Sequence, residues 1–216
     1  SLYGPLQAEH SNADDTNSAV EVYLQVGRDE RPRSMLLELA AQVINKPCYH
    51  QLRTVEQLGY IVFSGTRCDL GVVGLRVLVQ SSEVDAARLD ERIELFLQSV
   101  GELIEAMPEE EFANHRQALI DQKLEKDKKL RQESSRYWGE IPLNTLDFER
   151  AQHDATALEG CTKPQLAAFW AAYLAPGAAK RRRLSSQVRG LVDAAPPPPR
   201  PSPRRRRPPH YQFLLS

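Results

Sequence analysis

The hydrophobic pattern of residues 19–131 switches between the period of a strand and the period of a helix in a definite order. Residues 19–26 alternate apolar and polar side chains, which predicts a strand with one buried face. A helical stripe follows over 35–44. We expect this helix to end before Pro47, because proline disfavours helical backbone in the residue that precedes it. A shorter helical segment is predicted over 49–57.

A hairpin is predicted next, from two apolar runs at 60–64 and 73–80 with a turn between them. Two long helices should follow, the first from Ser82 or Asp85 to Met107 and the second from Pro108 towards Leu130. Further helices are predicted at 133–139, 147–158 and 162–174, with Thr162 as the cap of the last, and a short strand at 184–192. The order β-α-β-β-α-α with extra C-terminal helices indicates an α+β fold, a two-layer α/β sandwich. The pattern leaves open whether the first strand is parallel or antiparallel to its neighbour.

The charge divides the chain into unlike parts. The net charge is -1, but residues 1–179 carry 18 basic and 28 acidic side chains, and residues 180–216 carry ten basic and one acidic. Eight prolines and five arginines crowd into 196–209, which is typical of disordered or polyproline-II segments. We therefore predict a polar lead-in (1–18), one folded domain (19–177) and a basic Pro/Arg-rich tail (178–216). The tail is either a docking segment or an unselected extension.

Several functional classes are excluded by missing patterns. The five histidines are far apart and form neither H-E-x-x-H nor H-x-x-E-H, so we predict no metal site within this chain. No nucleophile elbow, P-loop or dinucleotide-binding glycine motif occurs. No apolar run reaches the ~20 residues of a membrane helix, and residues 1–10 lack a secretory signal pattern. The near-neutral charge does not indicate specific nucleic-acid binding. Three cysteines in this context indicate reduced thiols inside the cell.

Two segments remain as candidate sites. Arg53 and Tyr60 flank a predicted helix–strand turn, where a guanidinium and a phenol can donate hydrogen bonds to a carbonyl or an oxyanion. Alternatively, Arg53 pairs with Glu56 and Tyr60 only fills a strand position. In the second segment, Lys126 and Lys129 share a predicted helix face, and together with Lys128 they either bind a polyanion or form a solvated helix end. The residues alone favour the structural alternative in both segments.

The run L-R-T-V-E-Q-L-G-Y-I-V-F-S-G at 52–65 resembles a signature of the fourth domain of insulysin-like peptidases in the pitrilysin family of zinc metallopeptidases. R-Y-W-G-E-I at 136–141 resembles a second segment of that domain. Shorter matches occur at 75–81, 128–130 and 147–148, in the order and spacing of the family. The similarity covers about residues 15–176 and ends where the Pro/Arg-rich tail begins.

This resemblance implies a non-zinc lobe of a four-domain clamshell. The first domain of such enzymes binds zinc through H-x-x-E-H, and the fourth closes over the peptide. Arg53 and Tyr60 match the residues that reach the catalytic chamber, hold the substrate backbone and support the tetrahedral intermediate. Lys126, Lys128 and Lys129 match a site for ATP or other polyanions, although Asp127 replaces a neutral residue there.

The implied enzyme is larger than this chain, which has no counterpart of the first three domains. We therefore expect no catalytic residue, no bound cofactor and no peptidase activity in the chain alone, with zinc supplied by a complementary catalytic domain. The expected partners are a peptide substrate and the catalytic N-terminal half of an insulysin-like peptidase. A stand-alone peptide or protein interaction module, or an incomplete gene product, is the alternative. We expect a cytoplasmic location, with mitochondrial and peroxisomal locations as the alternatives.

Overall fold

The computed structural model of the chain describes residues 4–9, 12, 15–142 and 145–190. The strands are β1 (Leu6–Glu9), β2 (Ser18–Arg28), β3 (Ile61–Asp69), β4 (Val72–Ser81) and β5 (Arg182–Arg189). The helices are α1 (Arg33–Tyr49), α2 (Ala86–Ala106), α3 (Glu109–Lys123), α4 (Leu130–Glu140), α5 (Arg150–Glu159) and α6 (Lys163–Phe169). Wider π-helical turns extend α1 over His50–Val55 and α6 over Trp170–Leu174.

The strands form one sheet in the order β1-β5-β2-β4-β3. β2 is antiparallel to both β4 and β5, and β3 is antiparallel to β4, whereas β1 is parallel to β5. In β2 the alternation predicted from the sequence is realised, since Val20, Val22 and Leu24 are at most 1% exposed. Helices α1 and α2 cover this buried face of the sheet. The predicted two-layer α+β architecture is confirmed.

The prediction that α1 ends before Pro47 is wrong. The helix continues through Pro47 to Tyr49, and His50 closes its last turn by donating its backbone N–H to the carbonyls of Lys46 and Pro47. Ile44, Cys48 and Leu52 recur at helical spacing and are completely buried. Burial of this stripe outweighs the local preference of the residue before proline. The segment that carries Arg53 is therefore a continuation of α1.

Three further boundaries differ from the prediction. The polar lead-in contains strand β1, which pairs with the distant β5. Helix α3 ends at Lys123, well before Leu130. β5 lies within the range assigned to the tail, so the folded domain extends to Gly190. The remainder of the predicted tail, with the Pro/Arg-rich window, lies outside the described residues.

Acidic side chains of α2 hold the basic segment that leads into β5. Arg181 donates two hydrogen bonds to Glu94, at 2.7 and 2.8 Å, and Arg183 donates to Asp90 at 2.6 Å. The charge asymmetry that the sequence shows between the two parts of the chain is thus partly neutralised inside the fold. These ion pairs fix the basic segment beside α2, and the strand itself forms by pairing with β2.

Candidate functional site

Arg53 and Tyr60 line the same surface pocket, as the sequence predicts for two residues that flank the turn. The pocket has a volume of about 490 Å³. The π-helical turn after α1 contributes Arg53, and Tyr60 precedes the first residue of β3. Tyr60 is 53% exposed, and no described residue forms an ion pair with Arg53. Tyr49 and Glu83 are among the other polar residues that line the pocket.

The turn that carries Arg53 is fixed through Glu56. Arg92 of α2 donates from Nε to Oε2 of Glu56 at 2.5 Å and from Nη2 to Oε1 at 2.8 Å. The side-chain amide of Gln51 donates to Oε1 as well, at 2.8 Å. The hydrogen bonds from Arg92 lower the pKa of Glu56. The alternative in which Arg53 pairs with Glu56 is therefore wrong, because Arg92 occupies that carboxylate.

The connection from this turn to β3 is also closely constrained. The Leu58 N–H donates to the Leu52 carbonyl at 3.0 Å, and Gln57 between them has a φ of 51°, in the left-handed region. At Gly59 an added Cβ would lie 1.9 Å from the carbonyl oxygen of Gln80. Only glycine allows so close an approach of the two backbones. Gly59 thus allows the turn to pack directly against β4.

The phenol oxygen of Tyr60 accepts a hydrogen bond from a neighbouring side chain. The side-chain amide of Gln80 donates to the phenol oxygen at 2.5 Å. Because the oxygen accepts this bond, the Tyr60 O–H is left to donate elsewhere. The pocket therefore presents a phenol donor and a guanidinium. This is the donor set that a substrate carbonyl or an oxyanion requires.

The three lysines of the second candidate site do not share a helix face. They lie in the connection between α3 and α4, since α3 ends at Lys123 and α4 begins at Leu130. Lys128 donates to Glu125 at 2.7 Å, and Asp127 accepts from Arg136 at 2.9 Å. Within the described chain, Lys126 and Lys129 are exposed and form no ion pair.

The R-Y-W-G-E-I segment lies on α4 and is held at its C-terminal end by Glu140. Arg150 and Thr145 donate to this buried carboxylate, and the bonds from Arg150 lower its pKa. Residues 130–139 of α4 are all exposed and mostly polar, with Leu130, Tyr137 and Trp138 as the large apolar or aromatic side chains among them. Large exposed side chains of this kind are common in surfaces that contact another protein.

The described residues contain no group of three or more His, Cys, Asp or Glu side chains arranged to hold a metal ion. Cys48, Cys68 and Cys161 are free thiols, as the sequence predicts. Burial raises the pKa of Cys48 to about 11, so this thiol stays protonated at neutral pH. None of the helices in the described ranges combines the length and apolar character needed to span a bilayer.

Comparisons with known proteins connect this site to one family. Residues 39–138 match the family model described as PQQ synthase PqqF-like, C-terminal lobe domain 4. The peroxisomal insulin-degrading enzyme-like 1 of Arabidopsis thaliana is 41% identical over 180 residues, which are 83% of this chain and 19% of that protein. The human insulin-degrading enzyme is 40% identical over 180 residues, 83% of this chain and 18% of the human protein.

A solved structure agrees with these relatives. The crystal structure of pitrilysin superposes with a TM-score of 0.74 at 27% identity, covering 85% of this chain and 19% of the pitrilysin chain. The chain thus spans about a fifth of the length of each of these three proteins. The matched region includes the Arg53–Tyr60 turn and most of α4, up to Trp138. The chain is a homologue of the C-terminal lobe of the insulysin-like peptidases in the pitrilysin family.

Proposed function

We propose that this chain acts as the non-zinc lobe of an insulysin-like metalloendopeptidase, closing the chamber and orienting a peptide for cleavage by a zinc-bearing domain. The observation that carries this proposal is the placement of Arg53 and Tyr60 on one pocket, with the Tyr60 proton left to donate. Peptide-bond hydrolysis passes through a tetrahedral oxyanion, which such fixed donors stabilise. Comparison with peptidases does not favour the alternative of a stand-alone interaction module.

The two residues have separable roles in this proposal. The Tyr60 O–H donates to the oxyanion as it forms, because Gln80 already supplies the hydrogen bond to the phenol oxygen. The Arg53 guanidinium binds substrate carbonyls and holds the peptide backbone in register. Zinc and the general base come from a domain outside this chain, so this lobe contributes positioning and charge stabilisation.

Exposed apolar and aromatic side chains of α4 and of the residue that follows it supply contacts for the rest of the enzyme. Leu130, Tyr137, Trp138 and Ile141 are between 38% and 81% exposed. Aromatic side chains are enriched in the buried centres of protein interfaces. Their exposure supports a lobe that completes its burial against a catalytic half.

The proposal is tested in a chimaeric enzyme. Residues 15–190 of this chain would replace the matching segment of the Arabidopsis relative, and kcat/KM would be measured with a quenched fluorescent peptide. Removal of one oxyanion donor costs about 10²–10³ in kcat, so Tyr60→Phe should lower kcat with little change in KM. Tyr173→Phe, in the π-helical turn after α6 and outside this pocket, is the matched control and should change neither. An unchanged kcat/KM in Tyr60→Phe and Arg53→Ala would refute the proposal.

The finer assignments are proposals of the same kind. Peptides and small proteins are the proposed substrates, in line with the name of the human relative. The proposed cytoplasmic location competes with the peroxisome, which the name of the Arabidopsis relative specifies. Imaging of the tagged full-length protein would separate the two. A polyanion site at Lys126 and Lys129 is supported by their lack of acidic partners among the described residues.

A further inference from the structure

Strand β3 forms one edge of the sheet and is paired on one side only. Its partner β4 follows through the two-residue turn Leu70-Gly71, whose φ values are 50° and 73°. Positive φ at both positions is typical of a type I′ hairpin, in which the closing pair Asp69–Val72 is hydrogen-bonded. Hydrogen-bonded pairs then alternate along the ladder. The odd-numbered residues of β3 therefore bond to β4, and the even-numbered ones direct their backbone groups away from the sheet.

Those outward backbone groups include Val62 and Ser64. The Ser64 carbonyl accepts a hydrogen bond from the Asn45 side-chain amide at 3.1 Å, which agrees with the outward direction deduced from the turn. Within the described part of the chain, no hydrogen bond occupies the outward N–H and C=O of Val62, whereas Ser64 is only 4% exposed and its carbonyl is held by Asn45 of α1. An unpaired edge of this kind is a template for another strand.

The two halves of this edge differ in their protection. Towards the turn, Arg67 forms ion pairs with Glu21 at 2.9 Å and with Asp69 at 2.5 Å, and charged side chains are a common device against unwanted pairing. At the other end, Ile61 and Phe63 are 39% and 41% exposed and carry no charge. The part of the β3 edge that is open to a pairing strand is thus short: it runs from Tyr60 to Phe63 and ends where α1 covers Ser64.

A groove lies alongside this open part of the edge. A pocket of about 360 Å³ is enclosed between the end of α1 and β3, with Asn45, Lys46, Tyr49 and Val62 among its walls. Tyr49 also lines the pocket of Arg53 and Tyr60. The two pockets therefore share a wall. A strand added along β3 would place alternate side chains in the first pocket and lead towards Arg53.

The charges of the groove indicate what such a strand carries. Neither Lys46 nor Arg53 has an ion-pair partner among the described residues. Glu83, on the Arg53 pocket, is the one acidic side chain among the residues that line the two pockets. Two unpaired cations along a strand edge favour a carboxylate in the bound segment.

We propose that the open part of the β3 edge, from Tyr60 to Phe63, binds an extended acidic peptide segment as a short sixth strand of the sheet. Main-chain hydrogen bonds to Val62 supply the affinity, as in other cases of strand addition, and a peptide carboxylate contacts Lys46. The inference rests on the proposed function, since the same peptide leads to Arg53 and Tyr60. It adds a substrate-binding strand distinct from the donor pair.

The test measures direct binding to the purified full chain, without catalysis. The probe is a fluorescein-labelled decapeptide of alternating threonine and valine with two central glutamates. A second version is N-methylated at alternate residues, and a third carries glutamine in place of glutamate. We expect the N-methylated version to lose binding, because it cannot donate to β3. The glutamine version should bind several-fold more weakly.

The matched variants are Val62→Pro and Val62→Ala. Proline deletes the outward N–H without removing a rung shared with β4, whereas alanine keeps it and controls for lost side-chain packing. One lost hydrogen bond corresponds to about three- to tenfold weaker binding. We therefore expect Val62→Pro to bind the peptide more weakly than Val62→Ala by about that factor. Equal unfolding temperatures of the two variants would show that the fold is retained.

Three results would overturn the inference. These are equal affinities of Val62→Pro and Val62→Ala, equal binding of the N-methylated peptide, or a concentration-dependent dimer that Val62→Pro abolishes. The last would make a second copy of the chain the occupant. If binding at the edge fails while the chimaera still loses activity in Tyr60→Phe, only the strand-addition proposal falls, so the two proposals are separable.

Discussion

Replacing Glu56 by glutamine tests how the Arg53 turn is held in place. Glutamine is nearly isosteric with glutamate, but it lacks the charge and one of the two acceptor oxygens that bind Arg92. The carboxylate also accepts from Gln51, and its side chain is only 13% exposed. The substitution therefore breaks a nearly buried, charge-assisted contact between α2 and the turn.

The size of the effect follows from these contacts. Hydrogen bonds to charged groups contribute about 1.5–3 kcal/mol each when they are lost, and glutamine keeps one acceptor for Arg92. We therefore expect a loss of about 1–2 kcal/mol in the free energy of unfolding. For a chain of this size that corresponds to a decrease in Tm of about 3–6 °C. The matched control is Glu91→Gln, which breaks the exposed pair with Arg88 and should cost under about 0.5 kcal/mol.

The effect of Glu56→Gln on the free energy of unfolding should depend on pH. The pKa of Glu56 in the fold is lower than its ordinary value of 4.5, so ionised Glu56 stabilises the fold above that pH. In urea unfolding, the difference in the free energy of unfolding between the wild type and Glu56→Gln should have its full size at pH 7. This difference should shrink as the pH falls below 4.5. Equal stabilities at pH 7, or a difference that persists in acid, would refute the role assigned to the Arg92 contact.

Three more substitutions probe the fold and the second site. Gly59→Ala should cost more than about 2 kcal/mol of stability in urea unfolding, because its Cβ would meet the Gln80 carbonyl, whereas Gly101→Ala in α2 meets nothing within 4 Å and should be neutral or stabilising. Equal effects of the two would contradict the close approach at Gly59. Asp154→Asn, which leaves Lys123 and Arg31 with a weakened buried partner, should lower stability by about 2–4 kcal/mol in the same measurement. Lys126→Gln combined with Lys129→Gln should weaken ATP binding in calorimetry. Unchanged affinity would remove these lysines from any polyanion site.

Local patterns predicted the elements whose partners are near in the chain. The alternation of β2, the hairpin of β3 and β4, and the Thr162 capping box of α6 all follow from neighbouring residues. Strand β1 was not predicted, because it pairs with β5, which lies far away in the sequence and joins the sheet by pairing with β2. Pro47 misled the prediction of α1 because burial of Ile44, Cys48 and Leu52 depends on tertiary packing.

The candidate site was predicted in part. The L-R-T-V-E-Q-L-G-Y run placed Arg53 and Tyr60 at one turn, and the structure brings them to one pocket. The sequence missed the partners that hold them, Arg92 and Gln80, since both come from other elements. It also put the three lysines on a helix, because a continuous helix into Leu130 was expected where a connection occurs. Only the ordered match of separate segments could have indicated the role of the pair, since neither residue forms a recognisable motif alone.

The most direct test of the central claim is reconstitution of peptidase activity from two parts. The purified chain would be assayed with zinc and a quenched fluorescent peptide, alone and mixed with the zinc-bearing N-terminal half of the Arabidopsis relative. The half would also be assayed by itself. We predict that efficient cleavage requires the mixture and is lost in Tyr60→Phe. Cleavage by the chain alone that a chelator abolishes, or a mixture no more active than the N-terminal half, would contradict the claim that this lobe completes the enzyme.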